Sequence, residues 1–202
     1  MFRSMKARVV AGAMVLASAA LPVLATGPAG AAGRASRCMS VNGVTLVQIG
    51  NATCETTPST GALPNVAIAS GDHSSATARE GNNNQARALG PGSDAQAVRG
   101  DNNSATATGS HDSASVAFGD NNTAAATGSH NDAETTFGND NTATAIGSTN
   151  VAIAAEGSNN TATALGVHSV AEASFGDGNT ATARGGCSAF ASHADNVTVT
   201  CP

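Results

Sequence analysis

Residues 119–156 read GDNNTAAATGSHNDAETTF and then GNDNTATAIGSTNVAIAAE, two 19-residue segments that match place by place. Each opens on a glycine, reaches a second glycine nine residues later, and carries an asparagine at its fourth place. Working outward in both directions, glycines recur at alternating steps of 10 and 9 from Gly71 to Gly185, which makes six repeats of two halves each. Fixed-period self-similarity of this kind marks a solenoid, in which each unit buries its apolar face only against its neighbours.

The halves resolve further. The sixth residue of every half is alanine, from Ala76 to Ala181, and the eighth is alanine except at Val116 and Thr135. The fifth and seventh residues accept Arg87, Glu134 and Glu172, so they face water, while the alanine places accept almost nothing larger than a methyl group. Alternation at period 2 predicts one short strand per half with alanine on one face. The expected fold is all-β: a flattened parallel β-solenoid or β-roll of about six 19-residue coils, two strands per coil, with a narrow alanine core. An alanine contributes little more than a methyl's worth of burial, about 1 kcal/mol, so backbone ladders and close packing must supply much of the cohesion.

In the nine-residue halves the fourth place is always asparagine, at Asn84, Asn103, Asn122, Asn141, Asn160 and Asn179. Stacked from coil to coil, these amides can form a hydrogen-bonded ladder at one corner. His73, His111, His130 and His168 share the third place of the ten-residue halves, which makes them corner residues of the repeat. His111 and His130 would lie one coil apart, as would Phe118 and Phe137.

Before the array, residues 38–54 read CMSVNGVTLVQIGNATC, in which Asn42-Gly43 between β-formers predicts a hairpin. After it, residues 187–201 read CSAFASHADNVTVTC, taken as a second small hairpin. Six coils at about 4.8 Å each would stand about 29 Å tall, out of reach of one disulfide. Cys38 therefore pairs with Cys54, and Cys187 with Cys201, each bridge closing a β cap. The domain layout is a leader over 1–31, an N-terminal cap and linker over 32–70, the solenoid over 71–186 and a C-terminal cap over 187–202.

The leader follows from a basic start (Arg3, Lys6, Arg8), an apolar run from Val9 to Ala25 and an A-x-A site at Ala29-Gly30-Ala31. Export, to the medium or the cell surface, is the expected location, and paired cysteines suit it. Cleavage leaves 6 basic residues against 14 acidic ones, a net charge of −8. An acidic, aromatic-poor chain lacks the basic patch and stacking platforms that nucleic-acid binding needs.

No catalytic constellation, metal-ligand set or cofactor motif emerges. Calcium-binding nonapeptide solenoids have comparable half-coils, but their G-G-x-G-x-D core is represented here only by fragments such as Gly119-Asp120-Asn121. The stretches NTATAIGS (141–148), NTATALG (160–166) and ASVAFGDNNTAAATG (114–128) resemble the head repeats of trimeric autotransporter adhesins of the YadA type. That resemblance implies a parallel β-roll, adhesion to an extracellular surface, protein or glycan, and trimerisation. The chain departs from the family in its longer coils and in lacking the family's stalk and membrane barrel. The leading expectation is thus a non-enzymatic structural or adhesin-like module.

One wall suggests an alternative. The fifth and seventh places of the nine-residue halves run Gln85/Arg87, Ser104/Thr106, Thr123/Ala125, Thr142/Thr144, Thr161/Thr163 and Thr180/Thr182, so the first coil breaks the pattern and the next five carry it. A mostly Thr-x-Thr strip on successive coils resembles the ice-binding face of solenoid antifreeze proteins, although threonine is also simply a good exposed strand residue.

Overall fold

Each alternating segment of the sequence becomes a strand in the computed structural model, which describes residues 36–202; the expected leader lies outside the described residues. The nine-residue halves supply β6 (Gln85–Leu89), β8 (Ser104–Ser110), β10 (Thr123–Ser129), β12 (Thr142–Ser148), β14 (Thr161–Val167) and β16 (Thr180–Arg184). The ten-residue halves supply β5 (Ser75–Arg79), β7 (Asp94–Val98), β9 (Ser113–Ala117), β11 (Asp132–Thr136), β13 (Val151–Ala155) and β15 (Val170–Ser174). The first set stacks in one parallel sheet, sheet A, and the second in another, sheet B. Through this array each residue lies opposite the one 19 places on, as with Thr123 opposite Thr142 and Ala133 opposite Ala152.

The array is longer than the six repeats. Val66–Ser70, expected to be linker, is a sheet A strand, β4, and Thr53–Thr56 is the first sheet B strand, β3. At the other end Ser188–Ser192 (β17) pairs parallel with β15, and Thr198–Cys201 (β18) pairs parallel with β16. The C-terminal segment is therefore a further coil and not a hairpin. Each sheet has eight parallel strands, giving about eight turns. Only the N-terminal hairpin forms as expected: β1 (Arg37–Val41) pairs antiparallel with β2 (Val44–Ile49) and on its other side with β4.

The core between the sheets is the alanine column pair, with Ala86, Ala95, Ala105, Ala143 and their equivalents fully buried, and Val116 and Thr135 filling the two odd places. Glycine fixes the coil spacing. Gly119 (φ 143°) sits so close over Gly138 that a Cβ on it would overlap the Gly138 carbonyl. The third places are left-handed: Asn102, Asn121 and Asn159 at φ 60° in one set, and His111 and His168 at 56° in the other. That region favours Asn, Asp and His among non-glycine residues, which explains why the histidines keep to their register.

The disulfides form as expected, Cys38 with Cys54 (Cα–Cα 5.6 Å) and Cys187 with Cys201 (6.1 Å). Cys38 lies in sheet A and Cys54 in sheet B; Cys187 directly precedes β17 of sheet B and Cys201 lies in sheet A. Each bridge thus ties the two walls together across the core of a terminal coil.

Candidate functional site

The asparagine corner is a continuous buried ladder. Asn103 accepts through Oδ1 from the Asn122 backbone N–H (3.0 Å) and donates through Nδ2 to the Gly119 carbonyl (2.8 Å). Asn84, Asn122, Asn141 and Asn160 repeat both bonds with the coil that follows. Asn179 closes the series by accepting from the Val197 N–H at 3.0 Å. The ladder also has an earlier member, Asn65, which accepts from the Asn84 N–H and donates to the Gly81 carbonyl. Buried amides with both functions satisfied are structural, so this column holds the fold and presents nothing to a ligand.

A second ladder was not anticipated. At the second place of the nine-residue halves, the Asp101, Asp120, Asn139, Asp177 and Asp195 side chains each accept from a backbone N–H of the preceding coil at 2.7–2.9 Å. The signal in the sequence is Asn or Asp at one fixed place, interrupted at Ser158. Oδ1 of each of these carboxylates is thereby engaged in backbone bonding.

The stacked rings divide between the corners: the histidines lie at the turn from sheet A to sheet B, opposite the asparagine ladder, and the phenylalanines lie at the asparagine corner itself, just before its glycines. His111 and His130 stack with centroids 5.1 Å apart and planes 9° apart, and the serine hydroxyl before each ring lies 2.9 Å from its Nδ1. Parallel rings at this separation do not converge on a shared metal. Phe118 and Phe137 stack at 4.9 Å, with Arg99 4.8 Å from the Phe118 centroid and bonded to Glu80. Among the described residues no group of three or more His, Cys, Asp or Glu side chains is placed to hold a metal.

The two outer walls differ. On sheet B the outward residues are mixed and partly acidic, including Asp94, Asp132, Glu134 and Glu172 beside Val151 and Ile153. Burial raises the Asp132 carboxyl above its ordinary range, against a smaller opposing effect of the Ser113 hydrogen bond. Burial likewise raises Glu134, with the nearby Asp132 charge adding to the effect.

Sheet A presents the threonine strip. Ser104 and Thr106 on β8, Thr123 on β10, Thr142 and Thr144 on β12, Thr161 and Thr163 on β14, and Thr180 and Thr182 on β16 all point outward in register. Thr198 and Thr200 on β18 continue the two columns by one more coil, opposite Thr180 and Thr182. The outward residues from β8 to β14 include no charged side chain. Neighbouring strands lie about 4.8 Å apart, and alternate residues along one strand about 6.7 Å apart, so the hydroxyls form a flat rectangular array. None of the hydroxyls of Thr142, Thr144, Thr161, Thr163, Thr180 or Thr182 is used in a side-chain hydrogen bond among the described residues. No family model, curated protein or solved structure matches the chain.

Proposed function

We propose that this protein is a secreted, non-enzymatic structural and adhesin-like module, a rigid solenoid that binds an extended extracellular surface through the outer face of sheet A. The observation that supports this reading is the in-register face of threonine and aliphatic residues, uncharged from β8 to β14, whose threonine columns continue through Thr180 and Thr182 to Thr198 and Thr200. A flat array of identical side chains suits a repetitive or extended partner better than a small molecule held in a cleft. The likeness of the repeats to YadA-type heads points in the same direction.

The extension of the strip to β18 favours a second reading of the same face, binding to ice. Water oxygens in ice repeat at spacings close to those of the hydroxyl array, and threonine supplies both a methyl group and a hydroxyl at each point. One set of variants tests both readings. Thr144→Tyr and Thr163→Tyr disrupt the face, while Phe190→Ser alters only the sheet B side. Adsorption to glycan and matrix-protein surfaces that drops about tenfold or more in the first two variants supports the adhesin-like reading. Thermal hysteresis that disappears in the same variants supports the ice reading. Binding equal to that of the unaltered protein in both would overturn the assignment of this face.

A further inference from the structure

We propose that β2 is the interface of a two-fold dimer, in which the strand pairs antiparallel, edge to edge, with β2 of a second copy. β2 ends sheet A, so among the described residues no strand lies along its outer backbone edge. All six of its residues are exposed, with Val44 and Leu46 at 59% and Val47 and Ile49 at 40% and 41%. Sheet A reaches one strand beyond sheet B at this end, where β3 is the last strand of its sheet, so β2 overhangs the core. The outward apolar surface continues onto β1 and β4 through Met39, Val41, Val66 and Ile68.

Three observations choose a second copy of this chain as the occupant. A row of free N–H and C=O groups is completed by another strand, and an edge is self-complementary when the partner runs antiparallel. Charge selects the same end. The chain carries a net charge of −5, yet no charged residue lies between Cys38 and Cys54, so copies that repel elsewhere meet here without like charges opposed. The other three sheet ends offer less apolar edge: β17 is uncharged, but two of its five residues, Ala189 and Ala191, are buried and Phe190 is its one large exposed apolar side chain. β3 has four residues and carries Glu55, which is paired with Arg79, and β18 has four and runs into Pro202. Edges are ordinarily blunted by charge, proline or a bulge. The register of β2 against β1 does shift between Met39 and Ser40, but the extra residue there is Leu46, which adds apolar surface.

The symmetry has a consequence for the face described above. A two-fold axis relating edge strands stands perpendicular to the sheet, so both threonine faces lie on the same side of the dimer. Two such faces would engage one extended surface together.

Sedimentation velocity on the full chain with its disulfides intact tests the proposal, over about 1 to 100 μM. A monomer–dimer equilibrium is expected, weakened about a hundredfold by Val47→Lys or Leu46→Lys because each substitution enters a two-fold interface twice. Phe190→Lys should leave it unchanged. Amide hydrogen exchange of the unaltered protein covers the case of a variant that fails to fold: protection at Val44–Ile49 should rise with concentration. A monomer throughout, a trimer, an open series of larger species, or β2 amides insensitive to concentration would overturn it. None of these readouts depends on surface binding, so the dimer and the proposed function stand or fall separately.

Discussion

The two halves of a coil do the same job with different residues. In the nine-residue halves the fourth place is asparagine from Asn65 to Asn179, and the side chain accepts from one coil-to-coil N–H while donating to a glycine carbonyl. In the ten-residue halves the same place runs Ser74, Ser93, Asp112, Asn131, Asn150 and Ser169. There Asn131 and Asn150 donate to the carbonyls of Gly147 and Gly166, and Ser93 donates to that of Gly109. Asp112 accepts from Asn131 through Oδ1 but leaves its buried Oδ2 without a partner. A buried ladder needs a group that both donates and accepts, and only the amide provides both with the right reach. The regular column belongs with the regular wall: the nine-residue halves make sheet A, and the irregular halves make sheet B with its acidic residues.

The largest effect should come from breaking the regular column. Asn122→Ala strands two buried groups, the Asn141 N–H and the Gly138 carbonyl, and should cost about 3 kcal/mol or more in chemical denaturation. Ser93→Ala removes one bond to Gly109 and should cost about 1 kcal/mol. Equal costs at the two sites would remove the distinction between the columns. Repairing the irregular column should act in the opposite direction. Asp112→Asn keeps the acceptor for Asn131 and adds a donor where Asn131 and Asn150 already use one, so the denaturation midpoint should rise by about 1 to 2 kcal/mol equivalent.

The smallest effect concerns charge on sheet B. Asp132 and Glu134 are both raised from their ordinary values, 3.8 and 4.5, with burial as the leading cause. The folded state then holds protons that the unfolded state has released, so stability falls as pH rises through the window that opens at those ordinary values and ends at the raised ones. Denaturant midpoints measured between about pH 4 and pH 7 should decline with pH, and the decline should be shallower in Glu134→Gln. A midpoint that rises across this range in the unaltered protein and is unmoved by the substitution would contradict the burial of these two carboxyls.

Much of the array was legible because its rules are one-dimensional. Alanine at the sixth and eighth places and polar residues between them determine the strand, the buried face and the pairing partner together. The two outer coils escaped because each breaks the glycine rule. Place one of the coil containing β4 is Ala62, although Asn65, Ala67 and Ala69 keep the frame. At the far end the offset drops from 19 to 18, with Val170 opposite Ser188 and Thr180 opposite Thr198, and Val197 stands where asparagine is expected. Once the frame slips by one residue, a period count stops, although β17 still buries Ala189 and Ala191. The threonine strip could be read as a column, but its continuation to Thr200 depended on that slipped coil.

The placement of the disulfides bears on how such a rod comes apart. A stack in which each coil touches only its neighbours ordinarily frays from its ends, because a terminal coil has one neighbour where an inner coil has two. Here the end coils are the cross-tied ones, each with the two walls joined through a short loop, at sequence separations of 16 and 14. Closing a loop of that length removes about 3 kcal/mol of denatured-chain freedom. Opening is thereby pushed inward, toward middle coils held only by ladders and methyl contacts. A protease acting on the oxidised rod should first cut at an internal corner, and reduction should convert the same molecule into one that unzips from its tips.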